Sequence, residues 1–125
     1  MAKHHSPSFL ALVDDAKRRI PEVTAEDVVA MVARGDSLEL IDVREDREWA
    51  EGHADGAVHI GKGVIERDIE GHYPDKDTLL VLYCGGGYRS ALAADALRAM
   101  GYTRVISMDG GWRGWQAAGG ATRSL

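Results

Sequence analysis

Cysteine occurs once in these 125 residues, phenylalanine once and proline three times. A lone cysteine excludes an internal disulfide and any paired-cysteine redox motif. Such sparing cysteine use suits a reducing cytosol, so a cytoplasmic location is expected. No apolar run approaches the roughly 18 residues that a membrane span requires. The stretch "MAKHHSPSFLALVDDAKRR" also lacks a secretory pattern, because charges interrupt its apolar part almost at once. Basic residues are in the minority, 15 Lys and Arg against 20 Asp and Glu, for a net charge of −5. Neither nucleic acid nor an anionic membrane surface is therefore an expected partner, since both select basic surfaces.

The remaining composition, 45% hydrophobic and 28% charged, is that of an ordinary globular domain long enough to bury one core. Along the chain, helix-like and strand-like segments alternate. Ser6 and Pro7 read as an N-cap and first turn. Phe9, Leu10, Leu12, Val13, Ala16 and Ile20 then recur at helical spacing up to Pro21. An extended piece at Glu22 and Val23 leads to Thr24, the expected cap of a second helix running to Ala33. Strands are expected at "SLELIDV", "GAVHI", Thr78 to Tyr83 and "TRVISM". Helices are expected at "REDREWAEGH", from Tyr88 to Met100, and at "GWRGWQAA". Alternation of this kind implies a parallel sheet covered on both faces by right-handed crossovers, with ligands at the carboxyl ends of its strands.

At one such end lies "YCGGGYRSA", Tyr83 to Ala91, which holds the single cysteine. A loop between a buried strand and a helix N-terminus presents several unpaired backbone N–H groups, and the helix dipole adds partial positive charge. Gly85, Gly86 and Gly87 let the backbone curl so that these groups converge on an anion. A free thiol is only a few per cent ionised near neutrality, so surroundings that favour the thiolate make Cys84 a candidate nucleophile. Arg89 and Ser90 add a cation and a hydroxyl donor. The candidate site is thus Cys84 as nucleophile, with Gly85, Gly86, Gly87, Tyr88, Arg89 and Ser90 binding the substrate.

The loop "CGGGYRS" resembles the active-site pattern of the rhodanese family of sulfurtransferases in its single-domain form. "IDVREDREWAEGHADGAVHI" and "MDGGWRGW" resemble the family's other two signatures. The resemblance implies a three-layer α/β/α rhodanese-like domain over 21–119, with a five-stranded parallel sheet ordered 3-2-4-5-1. Residues 1–20 would be an extra N-terminal helix and 120–125 a C-terminal tail. It also places the loops around Arg44 to Arg47 and Met108 to Gly111 beside Cys84. Asp42 and Arg44 are expected to form ion pairs and loop hydrogen bonds. His53 and His59 are expected to cap or pack rather than bind metal, Trp112 and Trp115 to line core or groove, and His4 and His5 to lie in a disordered tip.

The implied chemistry is two-step transfer of a sulfane sulfur. A Cys84 persulfide takes sulfur from thiosulfate or another persulfide and gives it to a thiol, cyanide or a protein acceptor, with no metal or organic cofactor. Family members that handle thiosulfate well carry basic residues directly after the cysteine. Here Gly85 and Gly86 predict an uncharged entrance, weak thiosulfate binding and a bulkier donor. Two other readings accompany this one. A binding or sulfur-relay module fits the same fold. Phosphatases and arsenate reductases of this fold place five residues between cysteine and arginine, whereas four separate Cys84 from Arg89.

Overall fold

The computed structural model describes residues 5–125, and His4 lies outside them. In chain order the elements are α1 (Pro7–Lys17), β1 (Glu22–Thr24), α2 (Ala25–Ala33), β2 (Glu39–Asp42), α3 (Asp46–Glu51), β3 (His53–Ala54) and β4 (Val58–His59). They continue as α4 (Ile65–His72), β5 (Leu80–Tyr83), α5 (Tyr88–Ala99), β6 (Val105–Asp109), α6 (Gly111–Ala117) and β7 (Thr122–Arg123). Five strands form one parallel sheet in the order β1-β6-β5-β2-β4. Counting only those five strands, this is the order 3-2-4-5-1 read from the opposite edge. Among the described residues, no helix is long and apolar enough to cross a membrane.

β5 is central and wholly buried, as its unbroken run Leu-Val-Leu-Tyr requires of a strand covered on both faces. Its side chains alternate between two cores. Leu80, Leu82 and Cys84 join Val13, Ile41, Ile65, Ile69, Ala94 and Leu97 on the face covered by α1, α4 and α5. Val81 and Tyr83 join Val28, Leu40, Met108 and Trp115 on the face covered by α2 and α6. Cys84 thus continues the α5 side of the sheet.

Local signals explain most boundaries. The Ser6 hydroxyl accepts the Phe9 N–H at 3.2 Å, and Thr24 accepts the Asp27 N–H at 3.1 Å, so each caps its helix. α1 ends at Lys17, three residues before the expected Ile20, which stays buried beyond the helix end. α4 was not foreseen. Only Ile65 and Ile69, one turn apart and both fully buried, mark its inner face, and the rest of the segment is polar. Within 120–125, read as a tail, Thr122–Arg123 pairs antiparallel with His53–Ala54.

Candidate active site

Cys84 leaves the carboxyl end of β5, and the chain then turns into α5 through three glycines. Only Gly87 among them has a left-handed backbone, at φ 103°. That turn, which an L side chain resists, aims two amides at the sulfur. The Gly87 N–H donates to Sγ at 3.1 Å and the Ser90 N–H at 3.4 Å. The Ser90 hydroxyl lies 3.5 Å from Sγ and is itself held at 2.8 Å by the hydroxyl of Ser107, from β6. Cys84 is only 1% exposed, so its sulfur forms the floor of the site. A charge or partial charge there meets converging N–H dipoles and little water, the condition under which such donors are strongest.

The loops after β2 and β6 flank this one, as expected from the central place of β5. α6 braces it directly. The Trp112 N–H donates to the Cys84 carbonyl at 2.7 Å and the Arg113 N–H to the Gly85 carbonyl at 3.4 Å. Gly111, at φ 55°, lets α6 come this close, since a Cβ there would run into the Cys84 carbonyl oxygen. The same helix sends the Arg113 guanidinium across Gly86, where a Cβ would sit 2.5 Å from Nη2. The expected uncharged entrance is therefore corrected. Gly86 carries no charge, but a cation from another element lies over it.

Arg89 is turned toward α3 rather than onto the sulfur. Its guanidinium grips Glu48 of α3 at 2.8 and 3.2 Å. This pairing, with the Glu45 N–H at 3.0 Å, holds the Glu48 carboxyl down at about 2 against the desolvation that opposes it. Beneath the pair, Arg44 is 4% exposed and Asp42 fully buried. They are joined by contacts of 2.7 to 3.1 Å, and Arg44 also donates to the Gly52 carbonyl at 2.6 Å. Its guanidinium lies 4.9 Å from the Trp112 ring centre, linking the two flanking loops. Burial and the Asp42 carboxylate push the Tyr83 hydroxyl well up, and it accepts the Ala54 N–H at 3.0 Å.

The histidines of the second signature are structural partners. His53 stacks on Trp49 at 3.4 Å between ring centres and bonds the Trp49 carbonyl at 2.8 Å. His59 bonds the Arg44 carbonyl at 2.8 Å. Trp115 is buried in the second core and Trp112 lies half-buried beside it.

Above Cys84 opens a cavity of about 480 Å³. Gly85, Gly86, Tyr88 and Arg89 line it from the loop and α5, Glu48 from α3 and Arg113 from α6. The fourth side comes from the N-terminal segment, through His5, Ser6 and Phe9. His5 is thus no tip residue. Its ring meets Tyr88 edge-on at 4.7 Å and Phe9 at 5.2 Å, because an aromatic shelf on α5 gives it a surface to cover. Sequence reasoning also missed Glu48, Ser107 and Arg113 as site residues. Glu48 and Arg113 sit on the helices that follow the two strands neighbouring β5, so their place at the sheet's carboxyl end was the only available signal. Ser107 lies inside β6 and had none.

A family model described as the Rhodanese-like domain matches residues 24–118. YtwF of Bacillus subtilis, named as a sulfurtransferase, is 35% identical over 97 residues, covering 78% of this chain and 91% of that protein. YrkF of the same organism, named as a sulfur carrier protein, is 33% identical over 96 residues. That match covers 77% of this chain but only 51% of YrkF, so the chain spans about half of that relative. Among solved structures, a Rhodopseudomonas palustris protein of unknown function, described as a possible tyrosine phosphatase, superposes with a TM-score of 0.83 at 29% identity. The match covers 98% of this chain and 99% of that one.

Proposed function

The chain belongs to the rhodanese-like domain family of sulfurtransferase relatives, and from that premise we propose that it transfers sulfane sulfur through a persulfide on Cys84. The observation that carries this reading is the sulfur itself, on the floor of an open cavity with two backbone N–H groups at 3.1 and 3.4 Å. The Cys84 thiolate attacks the outer sulfur of a donor such as thiosulfate. The new S–S bond forms as the donor's S–S bond breaks, and sulfite leaves with the electron pair. The terminal persulfide sulfur carries negative charge, which the Gly87 and Ser90 amides and the α5 N-terminus stabilise. A thiolate or cyanide acceptor then attacks that outer sulfur and returns Cys84 to the thiolate. Gly85, Gly86, Tyr88 and Arg89 form the walls along which donor and acceptor approach, and Ser90 serves as both amide and hydroxyl donor.

The test is the intact mass after thiosulfate exposure. A gain of one sulfur, about 32 Da, that cyanide removes and Cys84→Ser abolishes is the expected result. No gain with either thiosulfate or a low-molecular-weight persulfide overturns the reading.

A phosphatase reading has one observation in its favour, the likeness to the Rhodopseudomonas palustris protein. The site opposes it. A phosphoryl group needs a loop that wraps three oxygens and an arginine that meets them, whereas here the loop is one residue short and Arg89 is engaged by Glu48. Aryl phosphate is accordingly expected not to turn over.

A further inference from the structure

We infer that Arg113 is the residue that selects the sulfur donor, by binding an anionic oxygen group on the part of the donor that leaves. The inference rests on the sulfurtransferase reading and names a determinant outside the cysteine loop. Two guanidinium groups line the cavity. Arg89 is held by Glu48 at 2.8 Å, so the carboxylate already offsets its charge. Arg113 has no carboxylate within 4 Å among the described residues, so its charge faces the cavity uncompensated. Its backbone N–H is tied to the Gly85 carbonyl at 3.4 Å, so the cation stands on the same brace that holds the nucleophile's loop.

The glycine at 86 has a matching explanation. Its backbone is not left-handed, so a side chain would be tolerated there on conformational grounds. A Cβ there would meet only the mobile end of Arg113, whose Nη2 lies 2.5 Å from that point, so the glycine lets the guanidinium lie directly over the loop. The mouth thus takes its unpaired guanidinium from α6, while the loop's own Arg89 is engaged by Glu48. The rings of His5, Phe9 and Tyr88 line the same cavity and give a carbon-bearing donor an apolar wall. The class of donor that suits such a mouth carries a sulfonate or carboxylate on the leaving portion, beside the reacting S–S bond. Thiosulfate and a carboxylate-bearing thiol persulfide share that chemistry.

Binding of thiosulfate to Cys84→Ser, which cannot turn over, is measured calorimetrically with and without Arg113→Ala. The expected result is about tenfold weaker binding without the arginine, as befits one unit-charge contact at about 5 Å, with the gap closing as salt rises. Adding Gly86→Lys to Arg113→Ala restores a cation at the same place and recovers most of the loss. With Cys84 intact, Arg113→Ala raises KM for thiosulfate and leaves kcat within about twofold. Cysteine persulfide as donor shows the same rise if a carboxylate is also read. A rise confined to thiosulfate narrows the class to sulfonates. Equal thiosulfate affinity with and without Arg113, or no measurable binding to either protein, overturns the inference. Arg113-dependent binding to Cys84→Ser, together with no persulfide on the wild-type protein from any donor, would instead overturn the sulfurtransferase reading and leave Arg113 as an anion-binding residue only.

Discussion

Gly87 holds the only left-handed backbone in the cysteine loop, and one of the two amides on Sγ is its own. Its missing Cβ would meet neighbours only at 3.5 Å or beyond, so crowding is not the reason for glycine. Gly87→Ala should therefore cost about 1–2 kcal/mol from backbone strain alone. Sulfur transfer should fall by at least tenfold as the amide swings off the sulfur. Urea unfolding and a sulfur-transfer assay check the two halves separately, and full activity at reduced stability would remove the amide from the argument. Cys84→Ser makes a contrasting prediction. The hydroxyl keeps the same N–H partners in a buried site, so stability should change by less than about 1 kcal/mol while transfer is lost. A serine variant that keeps more than about a hundredth of wild-type transfer would point to another nucleophile. At this scale the sequence was informative about the sulfur and its amides. It was silent about Ser107 and Arg113, because a serine inside a strand and an arginine on an exposed helix face have no local signature of their own.

α3 touches the site through a single residue, Glu48, and this makes part of the fold's stability depend on acid. The carboxyl sits at about 2 in the folded protein, below its ordinary value of 4.5, so it binds protons more readily unfolded than folded. The resulting stabilisation is complete above pH 4.5 and is lost as pH falls toward 2. About a quarter of the side chain is exposed and solvent screens the pair, so roughly 1–2 kcal/mol is expected. Glu48→Gln should lower stability at pH 7, and the gap from wild type should close between pH 4.5 and 2. A gap independent of pH would mean the carboxylate's charge is not its source. α1 contributes by burial instead. Val13 is 1% exposed within the core shared with α5. Val13→Ala should cost about 2 kcal/mol, measured by denaturant unfolding. The periodicity of α1 was plain in the sequence because Phe9, Leu10, Leu12, Val13 and Ala16 recur through it. α4 escaped notice because two isoleucines sufficed to seat it. The packing of His5 on Tyr88 was equally hidden, since the two rings are far apart in sequence and meet only once α1 lies along α5.

The carboxyl end of the sheet is tied together by the buried ion pair of Arg44 with Asp42 and by the late-arriving helix α6. Arg44 neutralises the fully buried Asp42 at the end of β2 while stacking over Trp112, so it joins the two flanking loops. Arg44→Ala would leave that carboxylate uncompensated and should cost about 3–5 kcal/mol, read from denaturant unfolding. A loss under about 1 kcal/mol would show that the pair does not hold these loops together. The alternation of segments in the sequence was enough to predict the sheet and its central strand. The brace by α6 was not legible, because it consists of backbone bonds between residues distant along the chain. That brace has a consequence for how the protein is made. During synthesis Cys84 emerges well before Gly111, Trp112 and Arg113, and β1 waits still longer for its partner strand β6. Until α6 has left the ribosome, the Cys84 and Gly85 carbonyls lack the N–H groups that hold them, and the Arg113 guanidinium is not yet beside the loop. The cysteine loop is thus finished only when the end of the domain closes against it.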